Sequence, residues 1–393
     1  AYQLAHLTPH EVDLLTSDAK PIVLVEKKSG SPLCDGIAPE VNRLGVFLAN
    51  TPLQNLLFQF MDRPLVATSA NLAGEPILYD APTVFDKLCQ SDRAIVDAVL
   101  DVDREIVNPC DDCIMQSING KPMVLRLGRG LAPYYQSLSH TDTEDSQTIL
   151  AVGAQQKSAI AYADDARMVL SPYLGDLGSL AAYQRFQQTV QNFTALHHLT
   201  PNQVVSDLHP VYTSSQWARV FAQQNQLPHT TIQHHYAHAL ACMAEHPLES
   251  SVVAFCWDGT GLGEDQTSWG GEILVADTTG YERALHVKPF KLLGGDQANQ
   301  QPRRVALAML FDYYSLETVL GLASPTVQAF TQQEIEQFYC MYQHNLNSPF
   351  SSSMGRIFDA VASLCGVLQA LDYEGQSGLR LESLYDDSVV EAY

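Results

Sequence analysis

Between Gln136 and Gln147 the chain runs through Ser137-Leu-Ser-His-Thr-Asp-Thr-Glu-Asp-Ser146, which is polar and has no hydrophobic period. Such a stretch can bury no face of a helix or sheet, so it separates two regions that must each build a core of their own. With 393 residues, 46% of them hydrophobic and 17% charged, the chain has enough apolar side chains for both. We therefore expect an α/β chain with a first domain over residues 1–138, a linker over 139–147 and a second domain over 148–393.

The second region begins with three strand-like runs, Thr148–Gly153, Ser158–Tyr162 and Met168–Tyr173. A helix over 177–196 follows, then the strand Gln203–His209, a helix from Ser214 and a short strand ending at Gln233. Three consecutive strands followed by alternating helices and strands is the order of a ribonuclease-H-like lobe, the unit of actin-like nucleotide-binding folds. Further on, Thr267–Ala276 reads as a strand, Lys291–Asp296 as a glycine-rich loop ending in a carboxylate, and 299–345 as mostly helical. Ser351–Val361 opens a helix whose serine- and glycine-rich start suits an anion, and Tyr373–Gln376 is a polar turn.

In the first region Ala19–Glu26 and Leu44–Leu48 read as strands. Asn50-Thr-Pro52 starts a helix with an apolar face through Leu53, Leu56, Leu57 and Phe60. Pro64–Gly74 reads as a strand ending in Thr68, Ser69 and Asn71, whose hydroxyls, amide and backbone N–H groups either hold a phosphate or carboxylate or form a plain turn. Residues 82–90 look helical, and Ala94–Val102 an apolar strand or helix. Arg126 and Arg129 stand among glycines at the end of a strand, where forked donors recognise phosphate or pair with surface carboxylates.

The chemistry-bearing stretch is Thr231-Ile-Gln-His-His-Tyr-Ala-His238, with Ser251–Gly261 after it. His234 and His238 stand four apart on one helical face, a spacing that can grip one metal ion and that also occurs for exposed or satisfied core histidines. The strand ending in Asp258-Gly-Thr-Gly261 is expected to turn tightly there and deliver a carboxylate beside a phosphate site. His235 and His246 lack such a partner and read as structural or exposed. The eight cysteines lie mostly in apolar surroundings that suit reduced thiols, and Cys110-Asp-Asp-Cys113 lacks the second pair of a zinc ribbon.

The formal charge of −22 argues against nucleic-acid or anionic-membrane partners. No apolar run is long enough to span a bilayer and the start lacks the pattern of a signal peptide, so a cytoplasmic location is the default expectation.

His234-His-Tyr-Ala-His238, Asp258-Gly-Thr-Gly261, Trp269-Gly-Gly-Glu272, Gly294-Gly-Asp296, Ser353-Met-Gly-Arg-Ile-Phe-Asp-Ala-Val361 and Tyr373-Glu-Gly-Gln376, in this order, resemble the HypF family, carbamoyltransferases of nickel–iron hydrogenase maturation. Pro64–Asn71 and Arg126–Gly130 likewise resemble the YrdC/TsaC-like domain that precedes the TsaD-like transferase domain in that family. The resemblance implies that carbamate from carbamoyl phosphate is joined to ATP as carbamoyl-adenylate, and that the carbamoyl group passes to the C-terminal cysteine of HypE for cyanide-ligand synthesis. It implies His234, His238 and Asp258 as ligands of a divalent metal, whether zinc, iron or magnesium. Thr68, Ser69, Asn71, Arg126 and Arg129 would face one nucleotide, and Gly259, Thr260, Gly294, Gly295 and Asp296 another. It assigns no catalytic residue. Pro109 and Cys113 stand where the family usually has arginine and serine, and Ser69-Ala-Asn71 replaces the usual Ser-Gly-Asn. The chain also reads as an internal fragment, without the family's acylphosphatase and zinc-finger segments, the opening of the YrdC-like domain or the end of the transferase domain. Two other functions compete: the sister tRNA threonylcarbamoyl-transfer reaction and a truncated, non-catalytic scaffold. A zincin-like hydrolase is disfavoured because no glutamate follows the first histidine.

Overall fold

The computed structural model describes residues 1–34, 36–90, 94–138, 147–386 and 388–389; of the expected linker all but Gln147 lies outside the described residues. The chain is α/β, and its contacts divide it into two compact units, Ala1–Ile37 with Arg43–Thr231, and Ala38–Asn42 with Ile232–Tyr393.

The first unit holds two sheets. One is built from β1 (Ala5–His6), β2 (Ile22–Lys27), β3 (Arg43–Val46), β4 (Ile114–Ile118) and β5 (Lys121–Arg126), in the order β1-β2-β4-β5 with β3 also on β2. Helix α1 (Pro9–Thr16) closes it. Thr8 and Glu11 form a reciprocal capping box that fixes the helix start, and Leu15 drops into a core with Val23, Val25 and Leu44. Helix α2 (Pro52–Phe60) is capped by Thr51 as its sequence suggests, but its expected core face of Leu53, Leu56, Leu57 and Phe60 is exposed. Residues 64–67 form no strand and 94–102 neither strand nor helix; apolar content there is not matched by ladder pairing among the described residues. Helix α3 (Ala81–Val84) runs into a single π-helical turn over Phe85–Cys89.

The second sheet runs β11-β10-β7-β8-β9-β6, from β6 (Tyr134–Ser137), β7 (Ile149–Ala151), β8 (Ala161–Ala163), β9 (Arg167–Leu170), β10 (Gln203–Asp207) and β11 (His229–Ile232). β7, β8 and β9 are antiparallel neighbours and β10 joins β7 in parallel, the arrangement expected of the three-strand opening. The strand just before the linker, β6, also belongs here, because it pairs with β9. Helices α4 (Leu180–His197) and α5 (Thr213–Asn225) bury Phe186, Val190, Phe193, Ala218 and Ala222 against Leu150, Tyr162, Val169 and Val204. Apolar residues at helical spacing on one side and at alternate strand positions on the other build this core.

The second unit is a sheet of β12 (Val252–Leu262), β13 (Ser268–Ala276), β14 (Tyr281–His286), β15 (Phe290–Lys291) and β16 (Phe350–Ser351), in the order β12-β13-β16-β15 with β14 on β13. Its helices are α6 (His234–Glu245), α7 (Pro302–Tyr313), α8 (Leu316–Leu320), α9 (Pro325–Gln328), α10 (Gln332–Gln343), α11 (Met354–Leu364) and α12 (Gln376–Ser383). Helix α6 lies on the sheet through Tyr236 and Ala239 against Cys256, Leu274 and Ala276, while α7 and α11 meet through Val305, Ala306 and Ala360.

The expected turn at Asp258–Gly261 is instead a bulge within the continuous strand β12. Trp257 faces Gly271 and Gly261 faces Trp269, so residues 258–260 stand opposite Gly270 alone. The Ser353 hydroxyl, at the start of α11, lies 2.8 Å from both Asp258 O and Gly259 O, which satisfies carbonyls that the broken ladder leaves unpaired. Close approach dictates the glycines around it. A Cβ on Gly261 would fall 2.6 Å from His235 Cε1 and 2.7 Å from His234 Cδ2, so α6 can reach β12 only where no side chain stands.

Two changes test this packing in urea unfolding. Leu274→Ala, at a fully buried position under α6, should lower stability by about 2–5 kcal/mol. Gly261→Ala should cost about 1–3 kcal/mol through overpacking although it adds one methyl group, and an unchanged midpoint would contradict the close approach.

Candidate metal centre

Helix α6 starts at His234 because Gln233 takes an extended conformation and its Oε1 accepts the Tyr236 N–H at 2.9 Å. The same amide places Nε2 3.0 Å from Leu262 O and 3.1 Å from His235 Nδ1, tying the helix start to the end of β12. Tyr236 stacks on Tyr281, and its hydroxyl donates to Asp277 O at 2.7 Å, which pins the helix face. With the helix so fixed, His234 and His238 project toward the bulge as their spacing requires.

The bulge presents Asp258 to them. Asp258 Oδ1 accepts the Gly259 N–H at 2.6 Å, which leaves Oδ2 facing the histidines. Oδ2 lies 3.1 Å from His234 Nε2, 3.6 Å from His235 Nε2 and 4.0 Å from His238 Nε2. His234 is the nearest neighbour of Oδ2, which among the described residues is a buried acceptor with no well-aligned hydrogen-bond donor. One ligand atom each from His234, His238 and Asp258 lies within 4.8 Å of the others. Two imidazoles and a carboxylate oxygen with an unspent lone pair fit a divalent ion. The His234 side chain is 15% exposed and that of His238 59%, so the site is walled on one flank and open to solvent on the other.

Burial alone would raise the Asp258 carboxyl, but His234 close by, the Gly259 N–H and His238 outweigh it and hold the carboxyl at about 2. His235 goes the other way: burial, then the charge of His234, pushes its ring down to about 4 despite Asp258. It is fully buried, faces Asp258 and is bound by Gln233. Of the two alternatives the sequence left, burial removes exposure, and Gln233 stands at its Nδ1. His246 is exposed at the end of α6.

The second-unit nucleotide candidates flank the first turn of α11. Thr260 Oγ1 lies 3.1 Å from Ser268 Oγ. Gly294 and Gly295 take left-handed conformations, with φ of 86° and 59°, and open a 3-10 turn that carries Asp296 at the surface. Arg356 of α11 donates to Asn299 O and Oδ1 at the end of that turn, while Ser353 holds the bulge. Sequence reasoning missed these two brackets. The serines expected to receive an anion are already engaged: Ser352 with Glu272, Ser351 with the Ser353 N–H, and Ser353 with the bulge and the Arg356 N–H.

In the first unit Thr68 and Ser69 are exposed in irregular chain, and the Asn71 amide donates to Leu72 O and Glu75 O. Arg129 is committed to Asp112 Oδ1 at 2.7 Å and to Ala19 O and Lys20 O. Arg126 donates Nε to Asp112 O and lies 5.7 Å over the Tyr173 ring. The carboxylate pairing that the sequence left open is thus realised for Arg129. Cys113 is buried and Cys110 half-buried, and burial raises both thiols, which suits neutral packing rather than a thiolate site. Among the described residues no helix is long and apolar enough to cross a membrane.

Comparison with known proteins covers nearly the whole chain. Family models match residues 1–128 (Sua5/YciO/YrdC, described as telomere recombination), 144–245 (HypF Kae1-like domain) and 254–393 (carbamoyltransferase, Kae1-like domain, second subdomain). The carbamoyltransferase HypF of Synechocystis sp. is 39% identical over 99% of this chain and 51% of its own length, and HypF2 of Cupriavidus necator 35% identical over 98% and 48%. A crystal structure of full-length HypF in a phosphate- and nucleotide-bound form superposes with a TM-score of 0.90 at 34% identity, covering 98% of this chain and 59% of that one. The T. kodakarensis HypF structure gives 0.88 at 30% identity, covering 97% and 50%. The chain spans about half the length of the curated relatives it matches. From its YrdC-like first part to its Kae1-like remainder, it belongs to the HypF family.

Proposed function

We propose that this chain carries part of an ATP-dependent carbamoyl transfer in hydrogenase maturation. In this reading residues 1–138 form the nucleotide-binding domain in which carbamate, freed from carbamoyl phosphate as phosphate leaves, attacks the α-phosphorus of ATP to give carbamoyl-adenylate while pyrophosphate leaves. Thr68, Ser69, Asn71, Arg126 and Arg129 contact the nucleotide, and Arg129 is held in place by Asp112. Residues 148–393 receive the carbamoyl-adenylate, with Gly259, Thr260, Gly294, Gly295 and Asp296 along its nucleotide. The acceptor is the C-terminal cysteine of HypE. Its thiolate attacks the carbamoyl carbon, a C–S bond forms, and the bond from that carbon to the phosphate oxygen breaks as AMP leaves.

The observation that carries this reading is the convergence of His234, His238 and Asp258 on one point, with the Asp258 Oδ2 acceptor unspent. A divalent ion held there would supply positive charge to the phosphate of the leaving group. The chain's own part is to hold the carboxylate ionised and the imidazoles aimed, with β12 and α6 as a rigid frame.

Two measurements test the proposal. His234→Ala and Asp258→Asn should each cut bound metal to a small fraction of the wild-type stoichiometry by elemental analysis, and unchanged metal in both would remove the site. With the complete reading frame expressed, ATP–pyrophosphate exchange should depend on carbamoyl phosphate. Exchange driven by threonine plus bicarbonate would identify tRNA threonylcarbamoyl transfer instead, a reading that the charge of −22 disfavours. No exchange with either substrate would favour a scaffold.

A further inference from the structure

The second histidine of the His234-His235 pair is fully buried beside the candidate ligands, yet it cannot be a ligand itself. The reason lies in the Gln233 amide. Its two ends are fixed by backbone groups with a single role each: the Tyr236 N–H can only donate, so it faces Oε1, and Leu262 O can only accept, so it faces Nε2. Nε2 is therefore the atom 3.1 Å from His235 Nδ1, and it donates to that ring nitrogen. A neutral imidazole that accepts at Nδ1 carries its proton on Nε2. The ring's one available lone pair, on Nδ1, is then taken by Gln233 and its other nitrogen carries a proton, so neither nitrogen is free to ligate a metal.

That Nε2–H is buried and lacks a hydrogen-bond partner among the described residues, as does Asp258 Oδ2. The two stand 3.6 Å apart, so a shift of about half an ångström brings them to ordinary N–H···O distance. We propose that His235, locked by Gln233 as the Nε2–H tautomer, is a positioning residue that orients the Asp258 carboxylate oxygen toward a divalent cation at His234 and His238. The inference rests on the metal reading above and adds the relay Leu262 O, Gln233, His235, Asp258 behind the ligands. A backbone carbonyl of β12 thereby sets which way a ring on α6 donates. Outer partners of this kind fix ligand direction and are worth about 10–100-fold in metal affinity.

The test uses the whole chain labelled with 15N-histidine and read by long-range 1H–15N correlation without metal, then titrated with Co2+. His235 should appear as the Nε2–H tautomer in the wild type, and Gln233→Glu, which can donate to neither Leu262 O nor the ring, should turn it to Nδ1–H. Co2+ affinity should fall about 10–100-fold in Gln233→Glu and in His235→Phe. His235→Gln, whose amide nitrogen stands near the place of Nε2, should recover most of it. A ring needed only for packing would be replaced by phenylalanine without loss. An Nδ1–H tautomer in the wild type, or wild-type Co2+ affinity in His235→Phe, would overturn the proposal. The tautomer and the His235→Gln titration decide it even if the phenylalanine variant fails to fold. A wild-type chain that ignores Co2+, or binds it equally after His234→Ala, would instead sink the metal reading on which the inference stands.

Discussion

The hydroxyl of Ser353 is the contact on which the second unit depends. Its single proton is shared between Asp258 O and Gly259 O, and its oxygen accepts the Arg356 N–H that opens α11. One side chain thus caps a helix and stabilises a bulge in a neighbouring strand. Gly355 makes this close approach feasible, since a Cβ there would lie 3.0 Å from Gly259 Cα. The bulge in turn sets Asp258 beneath α6. Were β12 regular, its carboxylate would follow the strict alternation of the pleat instead.

Behind the bulge a buried carboxylate holds the sheet to α11. Glu272, with no exposed side chain, accepts the Gly270 and Gly271 N–H groups and the Ser352 hydroxyl on one oxygen and Arg283 Nε at 2.6 Å on the other. Arg283 lies 3.9 Å over Trp269, whose indole N–H donates to Asp265, the second partner of that guanidinium. Burial raises the Glu272 carboxyl, but these donors outweigh it and keep it charged. The surroundings of Asp258 are therefore stiff on two sides, through α6 in front and the Glu272 network behind.

Much of this was legible in the sequence. The proximity of His234, His238 and Asp258 followed from the helical spacing of the histidines and from a strand delivering Asp258, and the strand order from residue 148 to 276 was read correctly because periods of two and of 3.6 are distinct there, whereas β14 and β16 were not read as strands. The failures have physical causes. Glycines in Asp258-Gly-Thr-Gly261 signal a freed backbone, but they permit a bulge as readily as a turn, and the choice lies with Ser353, far along the chain. The apolar stripe of α2 announces a face without saying what covers it. Arg129 was open to phosphate or carboxylate because nothing local reveals that Asp112 comes within 2.7 Å. The contact between His235 and Gln233 was not legible, because Gln233 reads as an ordinary polar residue until its cap geometry fixes the direction of its amide.

The hydrogen bond from the Gly259 N–H to Asp258 Oδ1, at 2.6 Å, also limits how the carboxylate can bind. With one lone pair of Oδ1 spent on its own backbone N–H, Asp258 would meet a cation between the histidines with Oδ2 as its freer oxygen. A large ion such as calcium, which gathers six to eight oxygens, would find a single carboxylate and two imidazoles a poor donor set. A compact ion content with few ligands and at ease with imidazole would meet a more suitable donor set. The direction in which the carboxylate faces is thus set by one backbone amide as much as by the side chains around it.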